Sequence, residues 1–165
     1  MTIETVYGEY VLGRAKNAPV RTGRFHNFDQ TYRNIMDHAV LPAGAEATSV
    51  IYLAEVKPDS ILSMLGLLSF DALGASTTLS IGLADDAEIG LSGKAALLNA
   101  AASTASAGSM SVGAAIDRAN WFKPLWTLAG LTAKPTKKVS LIATLGGATS
   151  AAGGDLAWEI PFVTF

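Results

Sequence analysis

Four stretches of this chain place hydrophobic residues at every second position. Val50, Tyr52, Ala54 and Val56 fall on one face of an extended segment. Leu79, Ile81 and Leu83 alternate with Thr78, Ser80 and Gly82. Val139, Leu141, Ala143 and Leu145 alternate with Ser140, Ile142 and Thr144, and Leu156, Trp158, Ile160 and Phe162 with Ala157, Glu159, Pro161 and Val163. Successive side chains point to opposite faces of a strand, so each run predicts a strand with one apolar face and one smaller or more polar face. Breakers separate the runs: Lys57-Pro58-Asp59, Gly74-Ala75-Ser76, Lys134-Pro135-Thr136, and the stretch from Gly146-Gly147 to Gly153-Gly154. Short strands punctuated in this way predict an all-β antiparallel β-sandwich, jelly-roll-like in form. Pro161 inside the last run predicts an edge strand or a bulge there.

One short helix is expected over Lys94 to Ala102, where strong helix formers follow Ser92 as a cap. Ahead of the strands, residues 1–47 carry five aromatics (Tyr7, Tyr10, Phe25, Phe28 and Tyr32), with Gly13, Pro19 and Gly23 as breakers. This stretch reads as an extended N-terminal arm, and 48–165 as the β-sandwich domain. Ala95 to Ile116 is free of charge over a length that could cross a bilayer, but it is built mainly of Ala, Ser and Gly. Membrane insertion is driven by Leu, Ile, Phe and Val, so no membrane span is expected, and the acidic start Met1-Thr2-Ile3-Glu4 does not read as a secretory leader.

Composition narrows the function classes. The chain has 165 residues with no cysteine, 16% charged residues and a net charge of −2. Ala, Gly, Ser and Thr make up 71 positions, whereas Val, Ile, Leu and Phe make up 43, enough for a packed core. The lack of cysteine excludes disulfides, thiolate metal sites and thiol nucleophiles. A net charge of −2 is a poor footprint for a nucleic-acid binder, and none is expected as a partner.

Catalytic chemistry has few candidates. There is no nucleophile elbow, no dinucleotide fingerprint and no phosphate-binding lysine loop. His26 and His38 stand twelve apart without ligand spacing, and read as surface or interface residues. Asp85, Asp86 and Glu88 fit a calcium loop only in part and read as a solvated turn. No catalytic residue, metal or cofactor is expected. Arg14, Lys16, Arg21 and Arg24 form a run with no acid between Glu9 and Asp29. Together with Tyr10 and Phe25 they are the candidate contact residues, because arginine and aromatic side chains dominate interface hot spots. Trp121 beside Asn120 and Arg118 is the local candidate for a carbohydrate site.

Several longer strings carry a resemblance. Val50-Ile51-Tyr52-Leu53-Ala54-Glu55-Val56 with Pro58 and Ile61, and Leu73 to Leu83, resemble strands of a family of tailed-bacteriophage virion proteins. So does Lys123-Pro124-Leu125-Trp126-Thr127-Leu128-Ala129-Gly130-Leu131-Thr132-Ala133, which leads into Lys138 to Leu145. The resemblance covers nearly the whole chain and implies a capsid auxiliary protein of the decoration or cement type. It implies a place on the outside of the head, synthesis in the host cytoplasm, the major capsid protein as partner and no catalytic residues. A homo-oligomer, with a trimer as first choice, is expected on a symmetric lattice. Alternatives are a head-fibre base or other minor virion component, or a carbohydrate-binding β-sandwich. Leu65 to Leu68 is more apolar than an exposed element should be, which predicts burial against another subunit.

Overall fold

In the computed structural model, the described residues are 5–7, 25–27 and 30–164. They form two sheets packed face to face. The first has the order β1 (Thr5–Tyr7), β4 (Val50–Val56), β10 (Val139–Gly147), β7 (Thr77–Leu83), β8 (Asn99–Ser103). The second has the order β2 (Phe25–Asn27), β3 (Gln30–Leu41), β11 (Gly154–Thr164), β6 (Leu67–Phe70), β9 (Gly108–Ser111), with β5 (Ile61–Leu62) also paired to β11. All pairings are antiparallel except β1 with β4. The chain is therefore the expected all-β sandwich, and all four runs read from the sequence are strands. In β4, however, Ile51 and Leu53 are buried and Val50 and Tyr52 only half-buried, because a bulge at Leu53 shifts the face before Ala54 and Val56.

Alternation builds the core. Ile51 and Leu53 of β4, Leu79, Ile81 and Leu83 of β7, and Ala143 and Leu145 of β10 are fully buried. Facing them are Ile35, Ala39 and Leu41 of β3, Leu68 and Phe70 of β6, and Leu156, Trp158, Ile160 and Phe162 of β11. One irregularity ties the two sheets together. The β4–β10 register pairs Leu141 with Ala54 and then Ile142 with Tyr52, so Leu53 is skipped. The indole N–H of Trp158 crosses the core and donates to the Leu53 carbonyl at 3.0 Å. A bulge in one sheet thus supplies the acceptor that a buried tryptophan of the other sheet needs.

The helix expected over Lys94–Ala102 is absent. Lys94 and Leu98 bond instead to β7, through Leu83 N to Lys94 O and Leu98 N to Ile81 O, and Asn99–Ser103 continues as β8. A nine-residue segment is too short to hold helix on propensity alone, and pairing with β7 buries Leu98 completely. The helix that does form is α1, Leu125–Leu128. Its free N-terminal amides are satisfied by the β4–β5 turn: Leu125 N donates to Ser60 O and Trp126 N to Pro58 O.

Pro161 is also not at an edge. β11 is a central strand, flanked by β3 on one side and by β5 and β6 on the other. The Pro161 carbonyl accepts from Ser63 N, so the position of the missing N–H faces the gap where β5 ends and β6 has yet to begin. A proline fits a central strand when the ladder is interrupted opposite it. Of the stretch expected as an arm, 30–41 is the longest strand and pairs with β11 over eleven positions. Thr5–Tyr7 and Phe25–Asn27 are paired as well, and the rest of 1–29 lies outside the described residues.

Candidate functional site

Tyr10, Arg14, Lys16, Arg21 and Arg24 lie outside the described residues, and Phe25 is placed only as a backbone position in β2. His26 neighbours it in β2, whereas His38 is exposed on β3 opposite Ala157. The two histidines are brought together by nothing in the register. Among the described residues no group of three or more His, Asp or Glu could hold a metal ion.

The acidic group Asp85, Asp86 and Glu88 surrounds a 3-10 turn over Ala87–Ile89, with Asp86 as its N-cap. Asp86 accepts from Glu88 N and Asp85 from Gly93 N, at 3.0 and 2.8 Å. Lys137, from the approach to β10, sits 2.7 Å from both Asp86 and Glu88. The hydrogen bond from Lys137 holds the Asp86 carboxyl below its ordinary value, and the two carboxylates raise the Lys137 ammonium. One lysine thus ties together two of the three carboxylates and balances one of their charges.

Trp121 is turned partly inward. Its N–H donates to Ile116 O at 3.1 Å, and the Arg118 guanidinium lies 5.9 Å from the ring centroid. With a cation over one face and its N–H engaged, the ring offers only its other face to a ligand. Trp121 also lines a groove of about 590 Å³, together with Tyr32, Ile61, Ser63, Met64, Phe122 and Val163.

The groove opens onto the outer face of the second sheet, where the two sheets differ most. The outward positions of the first sheet are Thr78, Ser80 and Gly82 on β7, and Ser140, Ile142, Thr144 and Gly146 on β10. None of these is an exposed large hydrophobic residue. On the second sheet, Tyr32, Met36 and Val40 of β3 and Leu67 of β6 point outward and are exposed. Leu65, in the turn before β6, is 81% exposed, and Phe122 is 83% exposed. With Trp121 these are all the exposed large hydrophobics among the described residues.

Register aligns them in rows. Met36, Glu159, Leu67 and Ser111 lie side by side across β3, β11, β6 and β9. Tyr32, Val163 and Ile61 form a second row at the groove. Between the rows, Asn34 Nδ2 donates to Glu159 Oε1 at 2.6 Å, so the carboxylate in the middle of the face has a partner from its own chain. A hollow of about 500 Å³ lined by Met36, Asp37, His38, Leu67, Ser69 and Glu159 continues the surface with a more polar character. The sequence signal for this face was the Leu65–Leu68 run; Met36, Val40 and Phe122 were missed. Met36 and Val40 follow Ile35 and Ala39, and only the strand's register shows that the neighbours point to opposite faces.

No family profile matches the chain, and no curated protein matches it in sequence. Solved structures do match in shape. A chain in the capsid of Ralstonia phage GP4 is 17% identical, with a TM-score of 0.60, over 98% of this chain and 98% of that one. A chain in the cyanophage Pam1 capsid asymmetric unit is 14% identical, with a TM-score of 0.55, over 91% of this chain and 96% of that one. The sandwich is therefore a fold used, from end to end and at nearly the same chain length, in two phage capsids.

Proposed function

We propose that this protein is a non-enzymatic structural component of a phage virion, bound to the outer surface of the head, where it stabilises the capsid lattice as a decoration or cement protein. The observation that carries the reading is the end-to-end likeness to chains of two phage capsids. A sandwich whose described residues leave one sheet face apolar and exposed suits a part that is covered by neighbours better than one that turns over a substrate.

In this reading the partner is the major capsid protein, and Tyr10, Arg14, Lys16, Arg21, Arg24 and Phe25 carry the contact with it. Stabilisation arises by linkage: a protein that binds the assembled shell and not its free subunits shifts the equilibrium toward the shell. Purified particles are the test. Many copies per particle, in fixed ratio to the major shell protein, are expected, whereas a handful overturns the decoration role in favour of a head-fibre base or other minor component. Reversing Arg14, Lys16, Arg21 and Arg24 to Glu is expected to weaken rebinding to shells stripped of this protein. Undiminished rebinding removes those four residues from the contact.

A further inference from the structure

We propose that the outer face of the second sheet, centred on the groove beside Trp121 and Phe122, is the docking surface for a second copy of this chain. The contact deepens the virion reading by assigning a partner to this face, and it rests on that reading only for its biological setting.

Area is the first reason. Tyr32, Met36, Val40, Leu65, Leu67, Trp121 and Phe122 are exposed by between 37% and 83%. Together they present on the order of 800 Å², about one partner's share of a standard interface. These residues are also concentrated on one side of the sandwich, because the outward positions of the first sheet are mostly Ser, Thr and Gly.

Charge is the second reason. A net charge of −2 with only 16% charged residues gives little repulsion to keep copies apart. The row at the middle of the face carries one carboxylate, Glu159, and Asn34 already donates to it. Asp155 and His38 also stand exposed on this face, toward its Val40 end, so the apolar surface it offers a partner is richest at the groove end. A second copy is the partner always present at matching concentration with such surface to offer.

Shape is the third. Leu65 projects from the turn between β5 and β6 while the groove lies beside it, with Met64 in the groove wall. A projecting apolar side chain and an apolar hollow on one face are the complementary halves that a contact between copies requires.

The test uses the full chain in the absence of capsids, by sedimentation velocity over a dilution series. The wild type is expected to be an oligomer at micromolar concentration. The double substitution Leu65→Asp with Phe122→Asp is expected to weaken association at least about a hundredfold, the loss of two interface anchors, with the circular dichroism spectrum unchanged. Ala105→Asp, exposed between β8 and β9 and away from the face, is expected to leave the oligomer intact. A monomeric wild type overturns the proposal, as does a double variant that stays oligomeric. If the wild type is a monomer whose binding to stripped shells is abolished by Leu65→Asp, the shell occupies the face; self-docking fails and the virion reading stands. An oligomer that dissociates as expected but never binds shells leaves self-docking in place and removes the virion reading.

Discussion

Replacing Trp158 by Phe isolates the link between the two sheets. The indole is 3% exposed and its N–H reaches the Leu53 carbonyl at 3.0 Å. Leu53 is skipped in the β4–β10 register, so no amide of β10 stands ready to replace that donor. Phe keeps an aromatic ring in the core but removes the N–H and part of the ring volume. An acceptor left unpaired in the interior costs about 1–3 kcal/mol, and the partly refilled space adds roughly 1 kcal/mol. The expected loss is therefore about 2–4 kcal/mol. At this chain length that is a fall in Tm of roughly 5–15 °C. Urea unfolding followed by far-ultraviolet circular dichroism, at one fixed protein concentration, measures it without relying on the removed fluorophore. A loss below about 0.5 kcal/mol, the range of an ordinary surface change, would refute the view that the bulge is held by this bond.

Three further outcomes follow from the buried polar groups and the close approaches. Thr77 Oγ1 donates to Gly74 O at 2.7 Å and lies 2.6 Å from Thr104 Oγ1, so Thr104 is the donor within the pair. Thr77→Val removes both bonds and is expected to cost about 1–3 kcal/mol, more than Thr104→Val, with strong coupling in the double-mutant cycle; additive losses would contradict the pairing. A Cβ on Gly82 would stand 2.0 Å from Lys94 O, which accepts from Leu83 N, so Gly82→Ala is expected to displace the 94–98 segment and speed hydrogen exchange at the Leu83 amide. Unchanged exchange there would sink that expectation. Lys137→Met is expected to flatten the pH dependence of Tm. Asp86 is held below its ordinary 3.8, so its contribution is complete above that value and is lost as pH falls through the lowered one. Lys137 is raised above its ordinary 10.5, so its contribution is complete below that value and is lost as pH rises through the raised one. An identical Tm–pH curve for the variant would count against the tie.

The parts of the fold legible in the sequence are those where one face is core and the other is not. Leu79, Ile81 and Leu83 against Ser80 and Gly82 can be arranged in only one way, and β7 follows. Local propensity alone favours helix over Lys94–Ala102. The deciding partner, β7, lies more than ten residues away in sequence, and its free edge offers hydrogen bonds to backbone of any composition. The position of Pro161 was misread for a related reason. A proline announces a missing donor, but whether that donor falls at a sheet edge or at a gap between two short strands depends on β5 and β6. α1 is only four residues long and is fixed by carbonyls of the β4–β5 turn, a tertiary contact with no periodic trace.

The apolar face shows what a departure from alternation means. In a sheet with one face on the core and one in water, each strand should pair an apolar set with a polar set. β7 keeps that rule; β3 and β6 break it. β3 sends Ile35, Ala39 and Leu41 inward yet carries Met36 and Val40 outward, and β6 buries Leu68 while exposing Leu67. Consecutive apolar residues in a strand are the pattern of a sheet covered on both faces. Among the described residues the second sheet has one cover, the first sheet. The break in alternation at Ile35-Met36 and Leu67-Leu68 therefore marks the face that the proposed docking of a second copy would cover.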